Sequence, residues 1–300
     1  MITPDLHGFA VVDKAAGWTS HDVVAKARGI LRTRKIGHAG TLDPDATGVL
    51  VLGIGHATRL LRYCTELGKV YVGEIVFGVE TSTLDAAGTV TARHDMRALT
   101  AGAVIAAAEA FVGDIEQIPP MVSAVKVGGK RLHELARQGI EVERAARPVH
   151  VHRLTLEPLA PDADGHPVYR AEVACSSGTY IRTLAADLGQ ALGGGAHLRA
   201  LRRTAVGGFT LDHAVGIEAL TAEHVVSPAE GMAQFGSWKV GDEVAALVAN
   251  GRVLPRDLLH VDGAGPWPVC DTQGNLLAMY EAHRDATAKP SVVFPSARCR

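Results

Sequence analysis

The sequence has few cysteines and lacks the features of an exported or membrane protein. Its four cysteines, Cys64, Cys175, Cys270 and Cys299, contain no C-x-x-C pair, which disfavours a disulfide framework or a zinc site. No long apolar run is present, and two acids precede the first basic residue, so we expect neither a membrane span nor a signal peptide. These absences predict a cytoplasmic protein with reduced thiols.

Motifs for metal-dependent and serine-nucleophile chemistry are also missing. Fourteen histidines are present, but there is no H-E-x-x-H, and His150 and His152 have no matching carboxylate motif. G-x-S-x-G is absent, so a serine hydrolase of that type has no support. We therefore expect no resident metal and no other cofactor.

The net charge of −2 argues against a protein that is basic overall. Lysines and arginines nevertheless gather in three groups: Lys26, Arg28, Arg32, Arg34 and Lys35; Lys126, Lys130, Arg131 and Arg137; and Arg199, Arg202 and Arg203. A single group of this kind usually forms a solvated face. Three groups in a weakly acidic chain favour phosphate binding, as RNA recognition requires.

The composition, 47% apolar and 21% charged, predicts a well-packed core in 300 residues. Hydrophobic patterns predict helices over 21–31, 57–67, 100–112, 132–139 and 180–192, and strands over 9–12, 49–52, 69–79, 149–156 and 169–175. Because these elements mix without βαβ alternation, we predict an α+β fold with a largely antiparallel mixed sheet flanked by helices.

Short strand-like runs separated by Gly and Pro predict a second, mostly β unit near the C-terminus. The predicted runs are 238–248, 253–254, 269–270, 276–281 and 292–294. The pattern changes near Ser227-Pro228, so we predict domains over 1–227 and 228–300.

The segment 37–53, GHAGTLDPDATGVLVLG, places Asp43 and Asp45 before a predicted buried strand over 49–52. An Asp-Pro turn alone would explain Asp43. The density of glycines allows a ligand to approach the backbone closely, and polar groups cluster against an apolar strand. This setting indicates a functional carboxylate.

Two metal-binding motifs almost match this segment. Asp43, Asp45 and Thr47 resemble the D-x-D-x-T of a magnesium phosphatase, but no buried strand is predicted directly before them and the chain contains no Asp-Asp. The same residues begin like a calcium loop, whose twelfth position would be Ile54 instead of glutamate. The phosphatase stays an open alternative.

The segment GHAGTLDP-x-ATGVL resembles the signature of TruB-family tRNA pseudouridine-55 synthases. Other stretches agree with this family: VDK at 12–14, KVY at 69–71, DIEQIPP at 114–120, SAVK at 123–126, ARQG at 136–139, SGTYIR at 177–182 and LRR at 201–203. The likeness covers residues 8–225. The C-terminal stretch is similar to a PUA-type RNA-binding module.

The resemblance implies the pseudouridine-synthase catalytic fold, a PUA-like C-terminal domain and isomerisation of a uridine in the T loop of tRNA. The N1–C1′ bond breaks, the uracil turns in place, and C5 bonds to C1′. The implied partner is the T-arm of tRNA, bound by a monomer without a cofactor. A non-catalytic RNA-binding or tRNA-folding protein is the second alternative.

The resemblance also implies roles for individual residues. Asp43 would be the catalytic carboxylate, attacking C1′ or C6 or deprotonating C2′, while Asp45 would be a bystander. Tyr71 would stack on the extruded base, and Arg182 would pair with Asp43. His38 would fill the gap that the flipped base leaves in the RNA. The other implied substrate-binding residues are Tyr180, Leu201, Lys14, Arg59, Lys126 and Arg202.

Overall fold

The structure is a computed structural model that describes residues 6–123, 126–127, 129–132, 135, 138–140 and 142–294. Its helices are α1 Ser20–Ile30, α2 Leu61–Glu66, α3 Ala101–Glu109, α4 Ile181–Ala191, α5 Pro228–Met232, α6 Asp242–Ala249 and α7 Arg256–Leu259. Its strands are β1 Gly8–Lys14, β2 Ile36–Ala39, β3 Thr47–Ile54, β4 Lys69–Phe77, β5 Val79–Thr81, β6 Val90–Arg93, β7 Gly113–Gln117, β8 Lys126–Val127, β9 Lys130–Arg131, β10 Arg147–Leu159, β11 Val168–Cys175, β12 Ala196–Val206, β13 Phe209–Thr210, β14 Ala214–Gly216, β15 Trp238–Lys239, β16 Leu254–Pro255, β17 Trp267–Cys270, β18 Leu276–Ala282 and β19 Thr287–Val293.

A ten-stranded mixed sheet forms the larger part of the molecule. Its order is β14-β1-β3-β12-β4-β11-β10-β7, with β2 paired to β3 and β13 paired to β12. The β1–β14 and β3–β12 pairs are parallel, and the other pairs of this sheet are antiparallel. The predicted α+β class with a largely antiparallel mixed sheet is therefore confirmed.

The central strand β3 is apolar because the sheet is covered on both faces. Val49, Leu50, Val51 and Leu52 have no exposed surface. Val49 and Val51 belong to one core cluster, whereas Leu50 and Leu52 pack with α1 in another. This alternation is the two-residue period of a strand. The predicted strand over 49–52 is confirmed within the longer β3.

The helix α1 begins where the sequence predicts it. The Thr19 hydroxyl accepts from the Asp22 backbone N–H at 3.1 Å, and Asp22 accepts from the Thr19 backbone N–H at 3.0 Å. This reciprocal capping box satisfies two backbone donors at the helix N-terminus. Val23, Val24 and Ala27 then bury one face of the helix against β3.

Two predicted elements have different boundaries in the structure. The helix predicted over 57–67 is a 3₁₀ turn, Gly55–Leu60, followed by α2. The strand predicted over 69–79 ends at Phe77, because Gly78 adopts a positive φ of 94° that an extended strand cannot continue. The helix predicted over 132–139 falls partly outside the described residues.

The C-terminal unit has its own five-stranded sheet, in the order β15-β17-β18-β19-β16. The strand predicted over 238–248 is wrong, since only Trp238–Lys239 is extended and α6 follows. Asp242 and Glu243 stand in the first turn of α6, where acids stabilise a helix N-terminus. The domain boundary after residue 227 stays a prediction.

The two sheets share part of their core. Met279, Val292 and Phe294 of the C-terminal unit belong to the same buried cluster as Phe9 and Leu60. Burial across this junction removes apolar surface of both units from water, which stabilises each against the other. Within the described residues, no helix is long and apolar enough to cross a membrane.

Candidate active site

A cleft of about 450 Å³ opens beside the Asp43 loop. Five parts of the chain line it: residues 40–43, the segment from the end of α2 to Tyr71, Ser123, residues 176–182, and Leu201 with Arg203 on β12. Because β4 and β12 are neighbouring strands at the centre of the large sheet, the cleft has a rigid floor. The predicted catalytic residues Asp43, Tyr71 and Arg182 all line it.

The Asp43 loop is fixed by contacts with the β1–α1 connection. The buried Lys14 ammonium donates to the carbonyl oxygens of Pro44 at 2.8 Å, Trp18 at 2.7 Å and Ala15 at 3.0 Å. The Gly17 N–H donates to the same Pro44 oxygen at 3.0 Å. Lys14, predicted to bind substrate, is only 1% exposed. Its position makes it a support of the loop.

Arg203 ties both ends of this loop to the sheet. Its side chain is 1% exposed and donates to the carbonyl oxygens of Val49 and Gly40, each at 2.8 Å. Gly48 has a φ of 101°, and a Cβ there would lie 2.1 Å from the Arg203 carbonyl oxygen. Glycine at position 48 is therefore required by both the backbone angle and the close approach of β12.

Arg182 links the Asp43 carboxylate of the cleft to a second carboxylate, Asp85. Its Nη2 lies 3.1 Å from Asp43 Oδ2, and its Nη1 lies 3.2 Å from Asp85 Oδ2. The same guanidinium donates to the carbonyl oxygens of Thr83 at 3.2 Å and Val122 at 2.8 Å. With four acceptors around a buried side chain, Arg182 is held in one orientation, and it fixes Asp43 in turn.

The groups around Asp43 shift the pKa of its carboxyl in opposite directions. The cleft walls desolvate the carboxyl and raise its pKa, Arg182 counteracts this, and Asp85 raises the pKa further. Lys14 lowers the pKa, and Asp45 raises it by the smallest contribution. The side chain is still 43% exposed to the cleft. Asp43 is thus a carboxylate at the base of a cleft, open to a ligand on one side.

Tyr71 lines the same cleft, whereas His38, on β2, does not line it. Burial raises the pKa of the Tyr71 phenol, against the opposing effect of Arg203. Burial, together with His21 and Arg203, lowers the pKa of His38 to about 4. His38 lies on β2 with its ring edge-to-face against His21, 5.4 Å between centroids. Among the described residues, its buried Nδ1 has no hydrogen-bond partner.

The remaining predicted site residues divide into two sets. Tyr180 and Leu201 line the cleft, and Tyr180 is held by Gln117, whose Oε1 accepts the Tyr180 N–H at 2.9 Å. Arg59 instead donates to the carbonyl oxygen of Val293 at 2.8 Å, and Arg202 pairs with Asp13 at 2.7 Å. The side chain of Lys126 lies outside the described residues.

Sequence reasoning does not identify three residues of the site: two that line the cleft, Arg203 and Lys69, and one behind Arg182, Asp85. Asp85 lies in a loop far from the other motifs, and nothing in its local sequence indicates a partner of Arg182. Arg203 was grouped with exposed arginines, although it is buried. Lys69 lines the cleft, and burial together with Arg203 lowers the pKa of its ammonium to about 8. Lys69 stands two residues before Tyr71 in the K-V-Y stretch, so its side chain points to the same face of β4, and this spacing could have predicted its place in the cleft.

The magnesium phosphatase alternative does not match this geometry. Asp43 precedes the buried strand β3, whereas that chemistry needs the first aspartate at the end of such a strand. The carboxylate is instead paired with a buried arginine. Within the described part of the chain, no group of three or more His, Cys, Asp and Glu side chains is placed to hold a metal ion.

Comparisons with known proteins agree along nearly the whole chain. The family model for the TruB family pseudouridylate synthase (N terminal domain) matches residues 28–181, and that for the tRNA pseudouridylate synthase B C-terminal domain matches residues 182–234. A tRNA pseudouridine synthase B from Streptomyces coelicolor is 47% identical, with 97% of this chain and 98% of that protein covered. One from an Arthrobacter species is 52% identical, with 96% and 97% covered.

Solved structures support the fold. A crystal structure of a Cbf5–Nop10–Gar1 complex contains a chain that matches with a TM-score of 0.73 at 24% identity, covering 94% of this chain and 80% of that one. The archaeal box H/ACA sRNP Nop10–Cbf5 complex gives the same TM-score at 22% identity, with 98% and 88% covered. At these identities the likeness concerns the fold alone.

Proposed function

Because this chain belongs to the TruB family of pseudouridylate synthases, it is an isomerase that forms pseudouridine, and we propose that its target is uridine 55 in the T loop of tRNA. The relatives at 47% and 52% identity are both named tRNA pseudouridine synthase B, which supports tRNA as the substrate. We further propose that it acts as a monomer in the cytoplasm, with a catalytic domain over 1–227 and a PUA-like domain over 228–300.

The proposed reaction is balanced by the substrate itself. The N1–C1′ bond of the uridine breaks and a C5–C1′ bond forms. C5 loses a proton, N1 gains one, and the product is an isomer of the substrate. The step therefore needs a positioned base and a carboxylate but no oxidant, reductant or external group donor.

One observation carries the assignment: the cleft presents the Asp43 carboxylate, held 3.1 Å from the buried Arg182 guanidinium. Attack at C1′, attack at C6 and deprotonation of C2′ each require an ionised carboxylate directed at the nucleoside. The charge-assisted contact with Arg182 favours that ionised form and fixes its direction. We assign Asp43 as the catalytic carboxylate and Arg182 as its partner.

The target base must leave the RNA stack to reach this carboxylate. We propose that it stacks on Tyr71, with Tyr180 and Leu201 at the sides of the cleft. Because the raised pKa keeps the Tyr71 phenol protonated at neutral pH, it can take up the C5 proton only while passing its own proton on. This restricts Tyr71 to stacking or proton relay.

His38 suits the gap that the flipped base would leave in the RNA. With a pKa of about 4 its imidazole is neutral at physiological pH, so it can enter a stack of bases without carrying a buried charge. Its position on β2, one strand from the Asp43 loop, gives it a fixed place. We propose insertion of His38 into the T loop.

The test is tritium release from a tRNA transcript carrying 5-³H-uridine, with EDTA present. We expect release by the wild type and a loss of about 10²–10⁴-fold or more with Asp43→Asn, since the catalytic charge is gone. Binding of tRNA by that variant should survive. The matched control is Asp45→Asn, because Asp45 is exposed two residues away and should leave turnover intact.

A transcript with cytidine in place of uridine 55 tests the target position. Release from it equal to that from the normal transcript would exclude the T-loop assignment. Equal activity of Asp43→Asn and the wild type would exclude the catalytic role of Asp43. Tight tRNA binding without release by the wild type would favour the RNA-binding alternative.

A further inference from the structure

The short helix α2 stands between the cleft and the C-terminal sheet. On one side, Thr65 and Glu66 at its end line the cleft. The cleft residue Lys69 donates from its ammonium to the carbonyl oxygens of Thr65 at 2.5 Å and Leu67 at 2.6 Å. These contacts cap the last carbonyls of the helix and fix it to the start of β4.

The other side of α2 is bound to the C-terminal unit. The Tyr63 ring is buried, and its hydroxyl donates to Glu281 Oε1 on β18 at 2.9 Å. The same hydroxyl is in hydrogen-bond contact with Ser291 on β19, and Arg62 forms an ion pair with Glu281. Although the Arg62 and Glu281 side chains are 51% and 33% exposed, the buried Tyr63 ring anchors this charge-assisted network between α2 and the C-terminal sheet.

A second connection lies one turn earlier. Arg59, in the 3₁₀ turn before α2, donates to the carbonyl oxygen of Val293 at 2.8 Å. Between α2 and the C-terminal unit lies a pocket of about 400 Å³ lined in part by Tyr63 and Glu281. Glu66 lines both this pocket and the uridine cleft. Only the thickness of this helix separates the two.

The charge of the C-terminal unit does not favour a role as the main RNA-binding surface. Residues 228–300 contain seven Lys and Arg and eight Asp and Glu, so the unit lacks the excess of positive charge that phosphate binding favours. One of these cations, Arg256, lies over the Trp267 ring at 5.2 Å and donates to the Gly263 carbonyl. Its charge is engaged within the unit.

We propose that the C-terminal unit braces the uridine cleft: Tyr63 and Glu281 are positioning residues that fix α2, and with it the wall formed by Thr65, Glu66 and Lys69. The inference rests on the proposed function, because it concerns how that cleft holds its uridine. A wall displaced by a fraction of an ångström misaligns the nucleoside against Asp43 and slows turnover.

The test compares Tyr63→Phe and Glu281→Gln with the wild type on full-length tRNA and on an isolated T-arm stem-loop. Both substitutions keep the side-chain shape: the first removes the Tyr63 hydroxyl, and the second removes the negative charge that pairs with Arg62. We expect kcat to fall roughly tenfold on both RNAs, with the Kd for each RNA unchanged, because the defect lies in the alignment of the bound uridine. Lys239→Gln, at an exposed position on β15, should match the wild type.

Ser291→Ala provides a second variant if either of the first two fails to fold, as judged by its thermal unfolding midpoint. An unchanged kcat on both RNAs overturns the inference. So does a defect confined to the Kd for full-length tRNA, which would make the C-terminal unit an RNA-binding surface only. Absence of wild-type activity on both RNAs would instead overturn the proposed function.

Discussion

At the scale of single residues, the site depends on a carboxylate whose surroundings oppose its charge. Burial and Asp85 raise the pKa of Asp43, while Arg182 and Lys14 act against that rise. Removing either cation would leave the desolvation of Asp43 less compensated, and its pKa would rise further. The cleft therefore makes ionisation of Asp43 less favourable than it is in water. Shifted pKa values of this kind are common at functional sites.

The raised pKa of Asp43 predicts the pH dependence of turnover. The ordinary value is 3.8, so Asp43 takes up its proton at a higher pH than an exposed aspartate. Turnover that requires the carboxylate therefore falls as pH decreases through this raised pKa, and the acid limb of kcat/KM lies above pH 3.8. Single-turnover rates across the acidic range measure it.

The raised pKa of Asp43 affects stability in the opposite direction to turnover: lowering the pH reduces turnover but favours the folded state. An acid whose pKa is raised in the folded protein stabilises that state at low pH and loses the contribution as pH rises through the folded pKa. An acid limb at or below 3.8, with the protein still folded, would contradict the electrostatic account of Asp43. Circular dichroism at each pH supplies the control for folding.

The sequence allowed Asp43 to be predicted but not Asp85. Asp43 stands in a glycine-rich loop before an apolar strand, and both features are local. The Asp85 carboxylate meets Arg182 only because the loop between β5 and β6 folds back on the start of α4. Contacts of this kind depend on the path of the chain, which residue spacing does not contain.

At the scale of elements, the approach of β12 to β3 decides where the loop lies. Arg202 pairs with Thr47 and Arg203 pairs with Gly48 in the parallel register. The Arg203 side chain then reaches Gly40 and Val49, at either end of the Asp43 loop. This strand contact therefore holds both ends of the Asp43 loop, in addition to the contacts of Lys14 and Arg182.

Gly48→Ala tests this contact. A Cβ at position 48 would meet the Arg203 carbonyl oxygen at 2.1 Å, on a backbone with a φ of 101°. We expect a loss of about 2–4 kcal/mol in the free energy of unfolding, together with reduced turnover, because the strands must separate. Urea denaturation followed by circular dichroism measures the loss.

Gly29→Ala is the matched control. Gly29 lies in α1. Apart from its chain neighbours and the backbone of α1 itself, no described atom lies within 4 Å of the position that an alanine methyl would take there, so alanine should stabilise the helix by about 0.5–1 kcal/mol. Equal effects of the two substitutions would show that the close approach at Gly48 is unimportant.

Local patterns predicted elements well where one face is apolar and the ends carry caps. The Thr19 cap of α1 and the apolar β3 are of this type. Local patterns gave a wrong prediction at 238–248, where Val244 and Val248 favour a strand. The acids of the first turn and the burial of Val248 against the C-terminal sheet stabilise a helix there instead. Tertiary packing overrode β-propensity at that position.

At the scale of the whole molecule, the basic groups are not equally available to RNA. In the third group, Arg199 pairs with Glu74 at 2.8 Å and Arg202 with Asp13 at 2.7 Å, while Arg203 is buried. The side chains of the second group lie outside the described residues. The basic groups could therefore be read from the sequence, but it did not show which of their arginines are paired with carboxylates or buried.

The first group leaves charges exposed directly before β2. Lys26 pairs with Glu218 at 2.9 Å, and Arg28 donates to the Ile36 carbonyl oxygen at 2.9 Å. Arg32, Arg34 and Lys35 are exposed, and in the part of the chain that the structure describes their side chains make no hydrogen bond or ion pair. They directly precede β2, the strand that carries His38.

This distribution predicts how tRNA affinity depends on salt. Each phosphate contact releases counterions, so the logarithm of the association constant falls linearly with the logarithm of salt concentration. Arg34→Gln removes an exposed charge and should reduce that slope by about 1, whereas Arg199→Gln removes an internally paired charge and should leave it unchanged. Filter binding of tRNA across a salt series measures both slopes. A slope reduced equally by the two substitutions would mean that RNA displaces Glu74 from Arg199, and that the internal pairs open on binding.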